Sequence, residues 1–559
     1  MTTPGRRRWW DVDPAGFAVA TVLAVVALTP SLIPRTGLVQ GVVSGVAAAL
    51  GYAGGVAVAW LLRRRAVRAR ARALVPARLA RPGQEVASPV HRALAVAIPV
   101  VLVVAVVVAA HAQQRAAALV GTTPPTTTSF LLALPVMVLV PAVLVVLVRA
   151  ARGLTARLAR LMRRRVHLSR AAAVLGAVLL VLLVTAVADG AAARAAVVLA
   201  EHAFAARNDQ PGTAAGPPTR ATRSGSPASL VPWDTLGREG RRFVVGGRPA
   251  EQLALAGARR PVDPIRVYVG LESAPDPRQR AALAVAELER TGAFDRAVLA
   301  LVTPTGTGSV DPPIPDSLEL VHGGDTAMAA LQYSYLPSAL SFFLDLARAE
   351  ETSRLLLGAV RARLDQLPPD RRPRLLVFGQ SLGAQASQSV FDSIDDARAR
   401  SDGVLWVGPP HASRLWQAQL ARRAPTSPAV DPVVGGGREV RFAARPGEVA
   451  ASPPSPWDPP RVLYLQHPSD PVVWWSPTLL WGRPDWLAEP PGDDRPAAMR
   501  WFPVVTFWQV TVDLPRAQTV PSGHGHRYGD LLVDAWAAVA PPPVWTADDT
   551  ARARRVLVG

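Results

Sequence analysis

The stretch Gly379-Gln380-Ser381-Leu382-Gly383 decides the fold that this chain of 559 residues is expected to adopt. It has the pattern G-x-S-x-G, with a largely apolar, strand-like run at 374–378 before it and small, helix-compatible residues at 384–390 after it. On a sharp strand-to-helix turn a serine hydroxyl is exposed at the end of a sheet, and glycines allow the close backbone approach. The stretch therefore predicts that Ser381 is a nucleophile, on a turn built by Gly379, Gln380 and Gly383.

Strand and helix patterns alternate on both sides of this turn. Predicted strands lie at 265–271, 296–302, 375–378, 404–407 and 462–465, and predicted helices lie at 277–289, 346–367 and 531–539. Such alternation is typical of an α/β domain, with a mostly parallel sheet and helices on both faces. Residues 501–512 are rich in β-branched and aromatic side chains and predict one or two further strands. Right-handed crossovers bring the strand ends that carry functional residues to one edge.

A serine nucleophile needs a histidine base and an acid that orients the imidazole, and candidates for both follow in the chain. Asp470 comes just after a strand-like run, whereas no strand precedes its rivals Asp431 and Asp458. His524 and His526 lie between the predicted last strand and the last helix. We favour His524 as the base because it directly follows a Pro-Ser-Gly turn, and His526 is the alternative.

The tetrahedral intermediate of acyl transfer needs two N–H donors for its oxyanion. One is expected to be the backbone N–H of Leu382, which follows the nucleophile. The other is expected from the loop at 303–308, where Thr305 and Gly306 stand and where glycine lets the backbone approach an anion.

The first 190 residues contain five apolar segments of membrane-spanning length. They lie near 15–34, 39–62, 93–113, 129–150 and 171–190. About 20 apolar residues cross a hydrocarbon core as a helix, and these segments have almost no polar face. The sequence therefore predicts a transmembrane bundle of about five helices over 1–190, a linker over 191–232 and the α/β domain over 233–559.

Arginines are concentrated before the first segment, between the second and third, and between the fourth and fifth. These three stretches hold 20 arginines and three carboxylates, whereas the opposite loops hold only Arg35 and Arg115. By the positive-inside rule the N-terminus is expected in the cytoplasm, and five crossings of the cell membrane place the C-terminal domain outside. The same arginines account for most of the net charge of +19, so we predict no nucleic-acid partner.

The sequence contains no cysteine, which excludes thiolate catalysis and cysteine-ligated metals. His524 and His526 with Asp530 form the strongest candidate for a cation site. No further ligand cluster stands at suitable spacing, and such a site would leave the turn at Ser381 without a role. We therefore predict neither a metal nor a cofactor.

Together these segments resemble the α/β-hydrolase superfamily. More narrowly, the chain resembles actinobacterial membrane proteins that join an N-terminal multi-span region to a C-terminal α/β-hydrolase domain. The resemblance covers both halves of the chain and rests on residues 332–338, 378–384, 408–411, 467–475 and 521–528. It implies an α/β-hydrolase fold with nucleophile, acid and histidine in that chain order.

The resemblance implies a membrane-anchored serine hydrolase that cleaves an ester or thioester through an acyl-enzyme. Trp474 and Trp475 stand beside Asp470, and large amphipathic rings can contact an acyl chain. The expected substrate is therefore an ester of a small molecule, a lipid or an envelope component. Membrane lipids are the other expected partners. Core packing is the alternative role for these rings. Two other functions remain open, namely an acyltransferase that uses the same acyl-enzyme and a non-catalytic envelope scaffold or transporter accessory protein. The sequence does not predict an oligomeric state.

Overall fold

The computed structural model describes residues 13–63, 87–166, 204–210 and 216–558. The chain forms two units, each assembled from non-consecutive segments. The first contains residues 1–193, 477–487 and 495–513, and the second contains residues 194–476, 488–494 and 514–559. The sequence-based boundaries place 477–487 and 495–513 in the C-terminal domain, whereas these residues lie in the first compact unit.

The described helices of the first unit include five near the N-terminus and one from far along the chain. They are α1 (Pro14–Val26), α2 (Gly37–Arg63), α3 (Ala87–Leu119), α4 (Thr127–Phe130), α5 (Ala133–Val166) and α6 (Val505–Asp513). Three helical stretches of the described residues are long and apolar enough to cross a membrane, at Gly37–Leu62, Pro99–Leu119 and Thr127–Arg157. The predicted segment 171–190 lies outside the described residues.

The predicted span at 15–34 is helical only over the 13 residues of α1. Pro30 and Pro34 follow α1 closely; each lacks a backbone N–H and disfavours the helical conformation of the residue before it. At about 1.5 Å per residue, α1 is roughly 20 Å long, which is shorter than a hydrocarbon core of about 30 Å. The prediction of a complete helical span here was therefore wrong.

Helix α2 packs at backbone contact against two neighbours. A Cβ atom added at Gly41 would lie 2.9 Å from the Ala133 carbonyl oxygen of α5, and one added at Gly55 would lie 2.6 Å from the Ala15 carbonyl oxygen of α1. Small residues permit such close helix packing where no water is available to drive association. The glycines of α2 thus set the spacing of the helices in this unit.

Helix α6 replaces the strands that were predicted over 501–512. Its Val505 is fully buried in a cluster with Ala27, Val43 and Ala47, the last two of which belong to α2. β-branched side chains have only a weak preference against helix, and burial of an apolar face outweighs that preference. The prediction of strands was wrong because the sequence did not show this packing.

An ion pair is buried in the first unit. Arg35 Nη2 lies 2.9 Å from Asp513 Oδ1 at the end of α6, and neither side chain is exposed. Asp513 Oδ2 accepts a hydrogen bond from the Ser31 hydroxyl at 2.5 Å. Arg35 also donates to the Gln509 carbonyl oxygen at 2.7 Å, and its backbone N–H donates to Gln113 Oε1 at 2.9 Å. The two charges are therefore held by several neutral partners.

The second unit contains a seven-stranded sheet in the order β1-β3-β2-β4-β5-β7-β6, in which every pair is parallel. The strands are β1 (Ile265–Val269), β2 (Val298–Thr303), β3 (Thr326–Leu331), β4 (Arg374–Gln380), β5 (Gly403–Val407), β6 (Val440–Ala443) and β7 (Arg461–Leu465). Every residue of β1, β3 and β5 is buried, as expected of a parallel sheet that is covered on both faces. The predicted α/β fold class is confirmed.

Helices connect these strands and follow them. They span Gly237–Val245, Ala250–Leu255, Pro277–Arg290, Pro313–Val321, Ser338–Leu344, Leu346–Leu364, Leu382–Gln388, Ile394–Arg400, Arg414–Ala421, Pro446–Ala451, Pro471–Trp474, Leu532–Val539 and Ala547–Val558. The sequence missed β3 and β6. β3 is mostly alanine and methionine, and β6 has only four residues, so neither carries the β-branched pattern of a typical strand.

Residues 216–232, predicted as part of the linker, instead pack onto the second unit. The Ser224 N–H donates to the Arg266 carbonyl oxygen of β1 at 3.2 Å, and Val231 is fully buried. The Leu230 N–H donates to the buried carboxylate of Glu287 at 2.9 Å. The polar composition that predicted a linker serves here to satisfy buried partners. Residues 191–203 and 211–215 lie outside the described residues.

Candidate active site

Ser381 lies on the turn between β4 and the helix Leu382–Gln388, with φ 55° and ψ −127°. Among the described non-glycine residues only Ser381 and Val504 have a positive φ. Such a conformation costs about 1–3 kcal/mol and persists only where the surroundings enforce it. The Ser381 N–H donates to the Val407 carbonyl oxygen of β5 at 2.9 Å, which holds the turn against the next strand.

The two glycines of the motif are required by neighbouring backbone atoms. A Cβ atom at Gly379 would lie 2.4 Å from the Gly383 carbonyl oxygen, and one at Gly383 would lie 2.2 Å from the Thr303 carbonyl oxygen. Neither carbonyl group can move away as a flexible side chain could. The turn thus brings the end of β2 directly beside the residues that follow Ser381.

Asp470 lies fully buried after β7 and makes three hydrogen bonds. Its Oδ2 is 2.7 Å from His526 Nδ1 and accepts from the Tyr528 hydroxyl at 2.7 Å, while Oδ1 accepts from the Val472 N–H at 2.8 Å. Because an ionised carboxylate can only accept a hydrogen bond, the proton of a neutral His526 is on Nδ1 and Nε2 carries a lone pair. Among the described residues, Nε2 has no hydrogen-bond partner.

Tyr528 is a permanent hydrogen-bond donor to Asp470. Burial, together with the negative charge of Asp470, raises the pKa of the Tyr528 hydroxyl well above its usual range. Its ring stacks on that of His467, with centroids 4.1 Å apart. Tyr528 therefore helps to hold the carboxylate in place. No sequence pattern indicated this role, although Tyr528 lies only two residues from His526.

The structure brings His526 and Ser381 to the same backbone segment. A Cβ atom at Gly408 would lie 2.5 Å from His526 Cε1, and Gly408 directly follows Val407, which accepts from the Ser381 N–H. Gly408 has φ 50°, so both its conformation and its proximity to the imidazole favour glycine. Ser381, His526 and Asp470 are thus gathered at the carboxyl ends of β4, β5 and β7.

His524 has a different carboxylate partner. Its Nδ1 lies 3.2 Å from Asp494 Oδ2, and the Ser469 hydroxyl donates to the same oxygen at 2.5 Å. The intervening residue, Gly525, is fixed at both ends, because its N–H donates to Ser469 Oγ at 2.8 Å and its carbonyl oxygen accepts from His467 Nδ1 at 2.8 Å. The geometry favours His526 over His524 as the partner of Asp470. Asp494 follows no strand or motif, so no sequence signal pointed to it.

In the loop predicted to supply the second oxyanion donor, one of the two candidate N–H groups already has an acceptor. The Thr305 N–H already donates to the Ser309 carbonyl oxygen at 3.0 Å. Gly306 has φ 34°, and a Cβ atom there would lie 2.4 Å from the Ser338 backbone nitrogen. The Leu382 N–H stands in the first turn of its helix, where backbone N–H groups have no intrahelical acceptor. Of the predicted donors, the geometry favours Leu382 and Gly306 over Thr305.

The indoles near the candidate site belong mainly to the core. Trp406, Trp416 and Trp474 are at most 1% exposed, and their ring N–H groups donate to Ser387 Oγ, Gln466 Oε1 and the His467 carbonyl oxygen. Buried rings with satisfied N–H groups stabilise the fold and offer no surface to an acyl chain. Core packing is thus the role that the structure gives these three residues.

The described residues contain no group of three or more His, Asp or Glu side chains that can hold a metal ion. Asp530, which the sequence placed beside His524 and His526 as a candidate ligand, accepts a hydrogen bond from the Ser522 hydroxyl at 3.0 Å.

Comparison with known families covers almost the whole chain. A family model described as "Alpha/beta-hydrolase family" matches residues 265–553, and one described as "Alpha/beta-hydrolase family N-terminus" matches residues 28–248. No curated protein and no solved structure gives a significant match. The first match includes all seven strands of the sheet together with Ser381, Asp470 and His526. The chain therefore belongs to the α/β-hydrolase family.

Proposed function

We propose that this protein is a serine hydrolase that cleaves an ester or thioester through an acyl-enzyme. The observation that carries the proposal is the strained Ser381, which shares the segment Val407-Gly408 with an imidazole that is paired to a buried carboxylate. In this proposal Ser381 is the nucleophile, His526 is the base and Asp470 orients the imidazole.

The reaction follows from these roles. His526 Nε2 takes the proton of the Ser381 hydroxyl while Oγ attacks the carbonyl carbon, and the N–H groups of Leu382 and Gly306 stabilise the oxyanion that forms. The protonated imidazole then gives its proton to the leaving alcohol or thiol, and Asp470 stabilises the imidazolium without taking the proton. Water, activated by the same imidazole, releases the acid from Ser381 in the second half of the reaction.

A fluorophosphonate probe tests this assignment on the full-length protein in detergent. Such a probe phosphonylates an activated serine, so we expect covalent labelling of the wild type at Ser381 and none of Ser381→Ala. Ser389→Ala is a matched control, because the Ser389 hydroxyl only donates to the Ala386 carbonyl oxygen and the variant should label normally. An unlabelled wild type would contradict the proposal and favour a scaffold function, whereas persistent labelling of Ser381→Ala would contradict the assignment of Ser381 as the nucleophile.

We further propose that the helices of the first unit anchor the protein in the cell membrane, with the N-terminus in the cytoplasm and the second unit outside. The arginine asymmetry supports this orientation. It requires α1 and the non-helical residues 27–34 together to complete one of five crossings.

Because the chain has no cysteine, single introduced cysteines can report this orientation in intact cells. Val544→Cys lies in the second unit at a side chain that is 84% exposed, and a membrane-impermeant maleimide should label it from outside. Gly153→Cys, at a position with open space around it in the arginine-rich part of α5, should be labelled only after permeabilisation. The reverse pattern, or protection of both cysteines, would overturn the orientation.

A further inference from the structure

A cavity of about 590 Å³ opens in the second unit, and its wall is partly polar. Its polar lining residues are Arg280, Tyr333, Ser334, Tyr335, Arg348, Glu351 and Thr352. A volume of this size is within the usual range for small-molecule sites. The cavity is therefore large enough to hold part of a small-molecule substrate.

The wall of this cavity is continuous with the surroundings of Ser381. Tyr333 packs in one buried cluster with Leu382 and Ala386, which belong to the helix that starts at the elbow. Gly306, the other favoured oxyanion donor, lies near the Tyr333 side chain. Tyr333 thus separates the cavity from the proposed oxyanion site by the thickness of one side chain.

Two buried donors of this wall lack an acceptor. The Tyr333 hydroxyl and Arg280 Nε have no acceptor among the described residues, although Tyr333 is 2% exposed and Arg280 is 7% exposed. Buried donors without an acceptor are destabilising, and a ligand that supplies oxygen atoms relieves that cost. Burial raises the pKa of the Tyr333 hydroxyl, so this group remains a donor.

Arg280 provides a fixed positive charge at the cavity. Its Nη1 donates to the carbonyl oxygens of Leu271 and Ala274, at 3.3 Å and 3.0 Å, which orients the guanidinium. Burial lowers the pKa of Arg280 from a usual value of 12.5, and an arginine still remains charged near neutral pH. A planar cation with preset geometry and a neighbouring hydroxyl donor suits the two oxygens of a carboxylate.

We propose that this cavity binds a carboxylate carried by the acyl group of the substrate, with Arg280 and the Tyr333 hydroxyl as its partners. The inference rests on the proposed function and gives it a substrate class, an ester whose acyl chain ends in a negative charge. It differs from the lipid or envelope ester that the indoles beside Asp470 had indicated. Trp474 is a core residue and Trp475 is partly buried, whereas the described cavity is lined by two arginines, Glu351 and hydroxyl groups.

Two nitrophenyl esters with acyl chains of equal carbon number test the inference on the full-length protein. The adipate monoester carries a terminal carboxylate, and the hexanoate ester carries a methyl group in its place. We expect kcat/KM to be about 10- to 100-fold higher for the adipate, as is typical of hydrogen bonds to a charged group. Tyr333→Phe, which keeps the ring, and Arg280→Gln should each reduce this ratio towards one.

Arg278→Gln is the matched control, because Arg278 is an exposed arginine on the same helix as Arg280 and does not line the cavity. It should keep the wild-type ratio. Equal turnover of the two esters by an enzyme that the fluorophosphonate labels at Ser381 would overturn the carboxylate site and leave the proposed function intact. A preference for adipate that survives both Tyr333→Phe and Arg280→Gln would also overturn it. Absence of labelling and of turnover would instead refute the proposed function, and this inference with it.

Discussion

Replacing His526 with alanine should lower kcat/KM for an activated ester by roughly 10⁴-fold or more, since loss of the base leaves the serine hydroxyl without a proton acceptor. The imidazole is 3% exposed and pairs with the fully buried Asp470, so no other described group holds the same position. The measurement is hydrolysis of a short nitrophenyl ester, accompanied by thermal unfolding to show that the variant folds. Fluorophosphonate labelling of Ser381 should slow in parallel.

His524→Ala is the control for this prediction. The His524 side chain is 28% exposed and contacts Asp494, which accepts a hydrogen bond from the Ser469 hydroxyl and so helps to hold the loop. We expect the variant to lose less than about tenfold in kcat/KM, through small displacement of the loop. If His524→Ala abolished activity and His526→Ala retained it, the base would have to be reassigned to His524.

Replacing Asp513 with alanine should lower the free energy of unfolding of the first unit by about 3–5 kcal/mol, because it leaves the buried Arg35 without its counter-charge. The double variant Arg35→Met/Asp513→Leu should recover most of this loss, since an apolar pair leaves no unpaired charge. Thermal unfolding of the full-length protein in detergent measures both effects.

An exposed ion pair gives the matched control. Arg438 and Asp458 lie 3.2 Å apart with side chains that are 60% and 44% exposed. Asp458→Ala should change the free energy of unfolding by no more than about 1 kcal/mol, as is usual for surface pairs. If Asp513→Ala and Asp458→Ala lowered the free energy of unfolding equally, burial of the Arg35–Asp513 pair would not increase the loss of stability when its carboxylate is removed.

The parts of the fold that were predicted from sequence are those with a local physical cause. The turn at Ser381 needs glycine on both sides because backbone oxygens lie within 2.4 Å of where a Cβ would stand, and that need is visible as a motif. β4 and β7 contain short apolar runs next to turn-forming residues, a pattern that is consistent with buried strands. Both the fold class and the position of the elbow follow from such signals.

The parts that were missed depend on distant contacts. Whether His524 or His526 is the proposed base depends on which imidazole contacts Asp470 in the folded protein. The two histidines are only two residues apart, so their positions in the sequence do not distinguish them. Helix α6 was predicted as a strand because β-branched side chains are common in strands. The packing of Val505 against α2, which favours the helix, is not visible in the sequence. Asp494, which pairs with His524, lies in a Pro-rich segment with no motif of its own.

The assignment of 477–487 and 495–513 to the first unit has a consequence for biosynthesis. The ribosome synthesises α1 and α2 long before it reaches Asp513. Arg35 therefore has no carboxylate partner until the chain is nearly 480 residues longer. During that interval the nascent bundle holds an unpaired cation, and a chain that stops before α6 never acquires its partner. Expression of residues 233–559 alone would likewise release α6 without the apolar surface that covers Val505. If the chain is divided at residue 233, the domain boundary predicted from the sequence, each fragment should therefore lack part of its packing. Co-expression of the two fragments would allow α6 to pack against α2 again.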